Sequence, residues 1–233
     1  MKLNNKRTIL VGLAFLSICA FWQMYDSIVP LILTKTFHMN ETFSGAIMAA
    51  DNILALFLLP FFGSVSDKSH SKLGKRMPFI LFGTGCAIIL MNILPLLDNS
   101  YAAQPSGFKT ASFVIVLGLL LVAMGTYRAP AVALMPDVTP KPLRSRANAI
   151  INLMGAVGGI LYLGVAAVLY PNSKTAGLDH VNYQPLFIVV SAIMFVAVAV
   201  LFLTIREPKL TAENQALEKQ HPEWNLAQDD GSG

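Results

Sequence analysis

The chain has 233 residues, of which 55% are hydrophobic and only 13% are charged, and its mean hydropathy is +0.59. Soluble domains carry about 25% charged residues, so this composition excludes an ordinary soluble domain. The net charge of +4 is modest and gives no indication of a nucleic-acid partner.

Six apolar runs follow one another along the chain. Each is long enough to cross a ~30 Å hydrocarbon core at about 1.5 Å per residue. The first run is too long for a secretory signal and contains no small-residue cleavage site. We therefore predict an all-α membrane protein with one bundle over residues 1–206. Its spans are predicted at approximately 8–36, 43–62, 78–97, 110–135, 146–170 and 185–205.

The basic residues are distributed unequally between the two sides of this predicted bundle. Of 17 lysines and arginines, only Lys35, Lys109 and Lys174 fall in the outer segments, and Arg128 falls within a span. The positive-inside rule therefore predicts that both termini are cytoplasmic. Residues 207–233 are polar and rich in acids, and we expect a solvated, truncated linker there.

Three ionisable residues lie deep within the predicted spans. The helix rise of about 1.5 Å per residue gives their depths. Asp26 lies ~14 Å and Asp51 ~15 Å from the outer side, and Arg128 lies ~13 Å from the inner side. Such residues usually face a bundle interior or a cavity. Burial raises the pKa of a carboxyl group, and a nearby positive charge lowers it. Such a balance suits a site that binds and releases a proton.

Aromatic and polar side chains accompany these charges. Trp22 and Asp26 are four residues apart and share a face of the first helix, with Gln23 and Tyr25 beside them. Tyr127 adjoins the intramembrane arginine. Aromatic rings stack on the CH faces of a sugar while polar groups bind its hydroxyls. The alternative is that Trp22 and Tyr127 are ordinary packing residues.

Two segments of the chain carry a family resemblance. Residues 63–80 read GSVSDKSHSKLGKRMPFI, and residues 127–137 read YRAPAVALMPD. The first resembles the loop between helices two and three of major facilitator superfamily transporters. The spacing within that loop, together with the second segment, resembles the sucrose–proton symporter branch and the related glycoside–pentoside–hexuronide symporters.

The resemblance implies the N-terminal six-helix half of a twelve-helix fold, built from two inverted three-helix repeats. It implies proton-coupled sugar symport by alternating access in the cell membrane. Asp26 is then the first candidate for the proton carrier, because helix one lines the cavity in this superfamily, and Asp51 is the second. Trp22, Gln23, Tyr25, Tyr127 and Arg128 become candidates for sugar binding. The implied partners are a sugar, a proton, the lipid bilayer, and a C-terminal half or a second copy of the chain.

The resemblance also implies an intracellular gate made of charged residues and loop glycines. Its candidate members are Gly63, Asp67, Gly74, Lys75, Arg76, Asp137, Arg144 and Arg146. The glycines are expected to adopt turn conformations that other residues resist. For the lysines, the positive-inside rule alone is a sufficient explanation.

Other functions are less well supported by the sequence. A transport-dead scaffold is an alternative, although a scaffold gives little reason for charges within spans. A drug–proton antiporter is disfavoured because residues 146–170 contain no proline. The four histidines fall in loops or the tail without metal-ligand spacing. No cofactor, metal site or enzymatic motif is predicted.

Overall fold

The computed structural model describes residues 3–178 and 180–226, and in that part every regular element is helical. A π-helical turn over Ile32–Thr36 extends the first helix, and a 3₁₀ turn over Lys141–Leu143 precedes the fifth. The helices are α1 (Asn5–Leu31), α2 (Glu41–Asp67), α3 (Met77–Ala103), α4 (Gly107–Val138), α5 (Arg144–Leu169), α6 (Asn172–Thr175), α7 (Gln184–Thr204), α8 (Glu207–Gln220) and α9 (Glu223–Leu226).

Six of these helices are long and apolar enough to cross a membrane: α1 to α5 and α7. This confirms the predicted all-α architecture with six spans. The helices run beyond several predicted limits, since α2 continues to Asp67 rather than residue 62 and α3 to Ala103 rather than residue 97. Hydropathy locates only the apolar centre of a span, whereas backbone hydrogen bonding continues through the polar residues at its ends.

The bundle packs with a repeated pattern. α1 lies mainly against α5 and also against α7, while α4 lies mainly against α3 and also against α2; α3 and α7 touch each other. Exchanging α1 with α4, α2 with α5 and α3 with α7 reproduces the same set of contacts. Equivalent helices are three spans apart and therefore run in opposite directions, which is typical of inverted three-helix repeats.

Glycines allow the closest helix crossings. A Cβ on Gly158 of α5 would overlap the backbone carbonyl of Leu16 in α1. A Cβ on Gly83 of α3 would lie 2.7 Å from the backbone nitrogen of Tyr127 in α4. Small residues permit such close approach between membrane helices, so these two positions fix how the repeats fit together.

The expected solvated linker contains a helix that packs against the bundle. Residues Glu207 and Asn214 of α8 are buried, at 2% and 4% exposure. The Asn214 amide donates to the backbone carbonyls of Asp137 (3.1 Å) and Thr139 (3.4 Å) at the end of α4. The sequence expectation was wrong here because two polar residues of a hydrophilic segment find buried hydrogen-bond partners that only the folded bundle supplies.

Arg76 and His180 lie at opposite ends of the bundle, and each gives its name to one end. The Arg76 end carries the α2–α3 and α4–α5 connections and α8. The His180 end carries the π-helical turn after α1, the end of α3 and the connection from α5 to α7.

Candidate functional site

A cleft lies between α1, α2 and α4 near the middle of the bundle. We call it the central cleft; its cavity volume is about 20 Å³, room for about one water molecule. Its polar lining consists of Trp22, Asp51 and Arg128, and leucines, Ala55 and Gly125 complete its walls. The guanidinium carbon of Arg128 lies 5.6 Å from the centroid of the Trp22 ring, within range of a cation–π interaction.

Several polar atoms in or beside the central cleft have no hydrogen-bond partner among the described residues; Tyr25 is beside it, in ring contact with Trp22 but outside the cleft lining. The atoms are the indole nitrogen of Trp22, the hydroxyl of Tyr25 and Oδ1 of Asp51, all of them buried. In the same part of the chain, Arg128 forms no ion pair. Buried polar groups without partners are costly, so these atoms are suited to bind a polar ligand or water.

Asp26 has a different environment from Asp51. Its side chain is exposed, and it does not line the central cleft, although it lies within electrostatic range of Asp51. Asp51 is 9% exposed. The two carboxyl groups therefore lie near each other, with Asp51 at the cleft and Asp26 exposed on the surface of the bundle.

Two predicted sugar-binding residues take part in helix packing. Tyr127 is completely buried, and its hydroxyl donates to the backbone carbonyl of Ala14 (3.0 Å) and lies 2.6 Å from Oγ of Ser17. A ligand cannot reach this hydroxyl in the present conformation, so the predicted contact is not available. Gln23 lies beside α5, where its Oε1 would be 3.8 Å from a Cβ on Gly159. Both positions face neighbouring helices rather than the cleft.

A buried arginine organises the Arg76 end. The guanidinium of Arg76 donates through Nε to Asp137 (2.8 Å), through Nη1 to Oγ of Ser66 (2.5 Å), and through Nη2 to Oδ1 of Asp67. We call these four residues the Arg76 network. It joins the end of α2, the start of α3 and the end of α4.

The Arg76 side chain stays charged within this network. Burial alone would lower the pKa of its guanidinium, but the hydrogen bond to Asp137 and the charges of Asp137 and Asp67 outweigh burial and raise the pKa. The arginine therefore acts as a permanent cation between two acids. Separating the ends of α2 and α4 would expose or unpair these charges.

Glu207 caps the start of α3 from across the bundle. Its carboxylate accepts from the backbone N–H groups of Lys75 (2.7 Å), Arg76 (2.9 Å) and Met77 (2.8 Å). A negative charge is favourable at a helix N-terminus, where these N–H groups lack helical partners. Gly74 has φ +114, and a Cβ there would overlap the Glu207 carboxylate. The glycine is therefore needed both for its backbone conformation and for the space it leaves.

The remaining predicted gate residues lie outside the Arg76 network. The side chains of Lys75 and Arg146 are exposed and make no ion pair within the described residues. Gly63 lies inside α2 rather than in a turn, so its predicted turn role is wrong; its carbonyl accepts from Arg76 (3.4 Å). Arg144 instead pairs with Glu218 of α8 (2.9 Å).

The fold and these two sites can be compared with known proteins. The sequence profile of the Major Facilitator Superfamily matches residues 11–227. The chain belongs to this superfamily. The assignment confirms the resemblance drawn from the two motif segments, and identifies the chain as a multi-pass membrane protein of a transporter superfamily.

Several curated relatives of this facilitator chain are sucrose transporters. It is 35% identical over 158 residues to sucrose transport protein SUC3 of Arabidopsis thaliana, covering 63% of the chain and 26% of that relative. It is 36% identical over 154 residues to sucrose transport protein SUT3 of Oryza sativa subsp. indica, covering 60% and 30%. Human solute carrier family 45 member 3 is 25% identical over 186 residues, covering 78% and 34%. The chain thus spans about a third or less of these relatives.

Sequence reasoning missed Glu207 and Glu218 as members of the structure at the Arg76 end of this facilitator chain. Both were grouped with the acids of a solvated tail. A weak signal existed for Glu207, which stands directly after the sixth span and before Pro208, a pairing typical of a helix start. Nothing local indicates that its carboxylate reaches residues 75–77, because that contact joins segments about 130 positions apart.

Replacing Glu207 with glutamine should weaken the cap on α3. The amide keeps the shape of the side chain but presents an NH₂ group to N–H donors, and it loses the charge. We expect the free energy of unfolding to fall by about 1.5–3 kcal/mol, the range for a hydrogen bond to a charged group. Chemical denaturation in micelles measures this. Glu213→Gln on the same helix, where the side chain is exposed, is the control and should change little. Equal effects of the two substitutions would contradict the cap.

Proposed function

We propose that this chain is one half of a secondary transporter that moves a sugar together with a proton by alternating access. The observation that carries the proposal is the central cleft, where the half-buried Trp22 and the buried Asp51 present unpartnered polar atoms beside Arg128. The Trp22 ring offers a flat apolar face for a sugar ring. Arg128 offers several donors in a fixed plane for its hydroxyls. The names of the sucrose transporters among its relatives support a sugar as the solute.

Asp51 is the better placed of the two candidate proton carriers. It lines the same cleft as Arg128 and is nearly buried, so its charge is sensitive to whether a ligand or water occupies the cleft. Asp26 was the first choice from the sequence, but its side chain is exposed on the surface of the bundle and does not line the cleft. We propose that Asp26 passes the proton between the open side of the bundle and Asp51.

The exposed polar residues support a second bundle as partner. Asp26 on α1 and Asn148 and Asn152 on α5 are exposed within spans, where contact with lipid would be unfavourable. α2 is also poorly covered, with Leu56 and Phe57 at 70% and 67% exposure. We propose that this side meets a six-helix C-terminal half or a second copy, and that the solute passes between them.

The Arg76 network supports a gate at the cytoplasmic side. Its ion pairs join three helix ends that would have to separate for the bundle to open there. With the Arg76 end in the cytoplasm, as the basic residues favour, the intact network closes the inner side of the transporter. We propose that it breaks when the solute leaves toward the cytoplasm.

Substitution of the two aspartates tests the proton coupling. In sealed vesicles containing the chain with its complementary half, Asp51→Asn should abolish sugar accumulation driven by an imposed proton gradient. Exchange of labelled for unlabelled sugar across the membrane should persist, because exchange needs no net proton movement. Asp26→Asn should slow accumulation without abolishing it. Glu41→Gln, at the exposed start of α2, is the control. Undiminished accumulation by the Asp51 variant would eliminate it as the carrier.

A further inference from the structure

A buried aspartate lies at the His180 end, away from the central cleft. Asp98, in the last turns of α3, has 0% exposure. Neither of its carboxylate oxygens has a hydrogen-bond partner within the part of the chain that the structure describes. The neighbouring cationic candidate is His180, whose Nε2 lies 3.9 Å from Oδ2 of Asp98. An isolated buried carboxylate is strongly unfavourable, so this group requires a proton or a countercharge.

His180 belongs to the segment between α5 and α7, and its ring joins that segment to two other helices. Nδ1 lies 3.2 Å from the hydroxyl of Thr36, in the π-helical turn after α1. Nε2 lies 2.9 Å from Oδ1 of Asn99 in α3, which can only accept from it. The Thr36 hydroxyl can either donate or accept. Both the neutral ring and the imidazolium therefore fit these contacts, and only the imidazolium supplies a charge.

Within the described residues, the other titratable groups near this pair are tyrosines. Tyr183, just before α7, is within electrostatic range of Asp98, and Tyr162 of α5 is in turn within range of Tyr183. In the described residues, no lysine or arginine forms an ion pair with Asp98. Asn99 also donates to Asn182 (2.9 Å), whose backbone carbonyl accepts from the Tyr170 hydroxyl (2.7 Å). These contacts hold the segment in place, and the Thr36 hydroxyl, which also lies near Asp98, supplies no charge to compensate the carboxylate.

We propose that Asp98 and His180 form a second proton-binding site, separate from Asp26 and Asp51, which fastens the α5–α7 segment to the ends of α1 and α3. One proton shared by the pair makes it neutral overall, either as a carboxylic acid beside an imidazole or as a carboxylate beside an imidazolium. Removal of that proton leaves a buried carboxylate facing a neutral ring. The segment must then move and admit water to the carboxylate.

The consequence is a segment that is fastened at acidic pH and released as the pH rises. Histidine ordinarily changes charge between about pH 5 and 8. The release of the segment should therefore occur at pH values found outside cells. In the orientation proposed above, the site faces the outside, and external acidity would hold the outer segment closed over the bundle. The inference itself depends only on the burial of Asp98 and the contacts of His180.

Backbone hydrogen exchange of the purified chain in lipid nanodiscs tests the proposal without requiring transport. Exchange protection in residues 171–183, corrected for the intrinsic pH dependence of exchange, should fall about tenfold or more between roughly pH 6 and pH 8.5, across the histidine range. Asp98→Asn removes the charge that needs compensation and keeps the size of the side chain. It should retain protection at both pH values.

Two further variants keep the test decisive. His180→Gln removes the ring and leaves Asp98 as the remaining proton-binding group of the pair, so the fall in protection should move out of the histidine range. His38→Asn is the control, since His38 is an exposed histidine at the same end. His38 has φ +51, a conformation that asparagine tolerates. This variant should show the same fall in exchange protection with rising pH as the wild type. A fall in protection that survives in Asp98→Asn, one that is unchanged in His180→Gln, or none in the wild type would overturn the proposal.

Discussion

Replacing Arg76 with glutamine is expected to lower the free energy of unfolding by about 3–5 kcal/mol, the range for removing one partner of a buried ion pair. Glutamine cannot replace the planar fork that reaches Asp67, Asp137 and Ser66 at the same time. Asp137 would lose its cation while only 29% of its side chain is exposed. Denaturation in micelles, followed by circular dichroism, measures the change.

The adjacent lysine provides a matched control for Arg76. The side chain of Lys75 is exposed. Its backbone N–H donates to Glu207, and Lys75→Gln preserves that hydrogen bond. We expect this substitution to change stability by less than about 0.5 kcal/mol. A second test is the double variant Arg76→Gln with Asp137→Asn, which should recover part of the loss because Asp137, the less exposed of the two acids, is no longer left unpaired. If Lys75→Gln and Arg76→Gln have similar effects, the Arg76 network does not hold this end together.

Replacing Arg128 with lysine is expected to weaken sugar binding about 10- to 100-fold, the equivalent of losing roughly 1.4–2.8 kcal/mol. Lysine keeps the charge, but it loses the planar fork that lies near the Trp22 ring. The chain contains two tryptophans, Trp22 and Trp224. In a Trp224→Phe background, the fluorescence of Trp22 therefore reports occupation of the central cleft. Titration with sucrose of the chain assembled with its complementary half, in which any tryptophans are replaced by phenylalanine, gives the affinity.

A conservative substitution far from the cleft controls for general effects of changing arginine. Arg146→Lys alters an exposed residue at the Arg76 end and should leave sucrose affinity unchanged. A variant with lysine at position 128 that binds sucrose with wild-type affinity would exclude Arg128 from the site. Loss of binding in both variants would show that the fluorescence signal does not depend on the cleft.

Much of the central cleft could be predicted from the sequence because depth in a membrane follows directly from the helix rise. Asp51 and Arg128 were placed at compatible depths on separate helices, and both line the same cleft. The rotation of each helix about its axis was not available from the sequence. This explains why Tyr127, next to Arg128 in the chain, faces α1 and bonds to Ser17 instead of joining the cleft.

The sequence by itself determined the class of protein, the six spans and the superfamily. These follow from apolar length, because a bilayer admits few structures other than complete helices, and from two short motif segments. Only the tertiary structure decided which charges meet. Glu207 reaches the start of α3, Arg144 pairs with Glu218, and Asp98 lies beside His180. Each contact joins positions more than 70 residues apart, and a local pattern carries no information about the crossing and rotation of helices that bring such residues together.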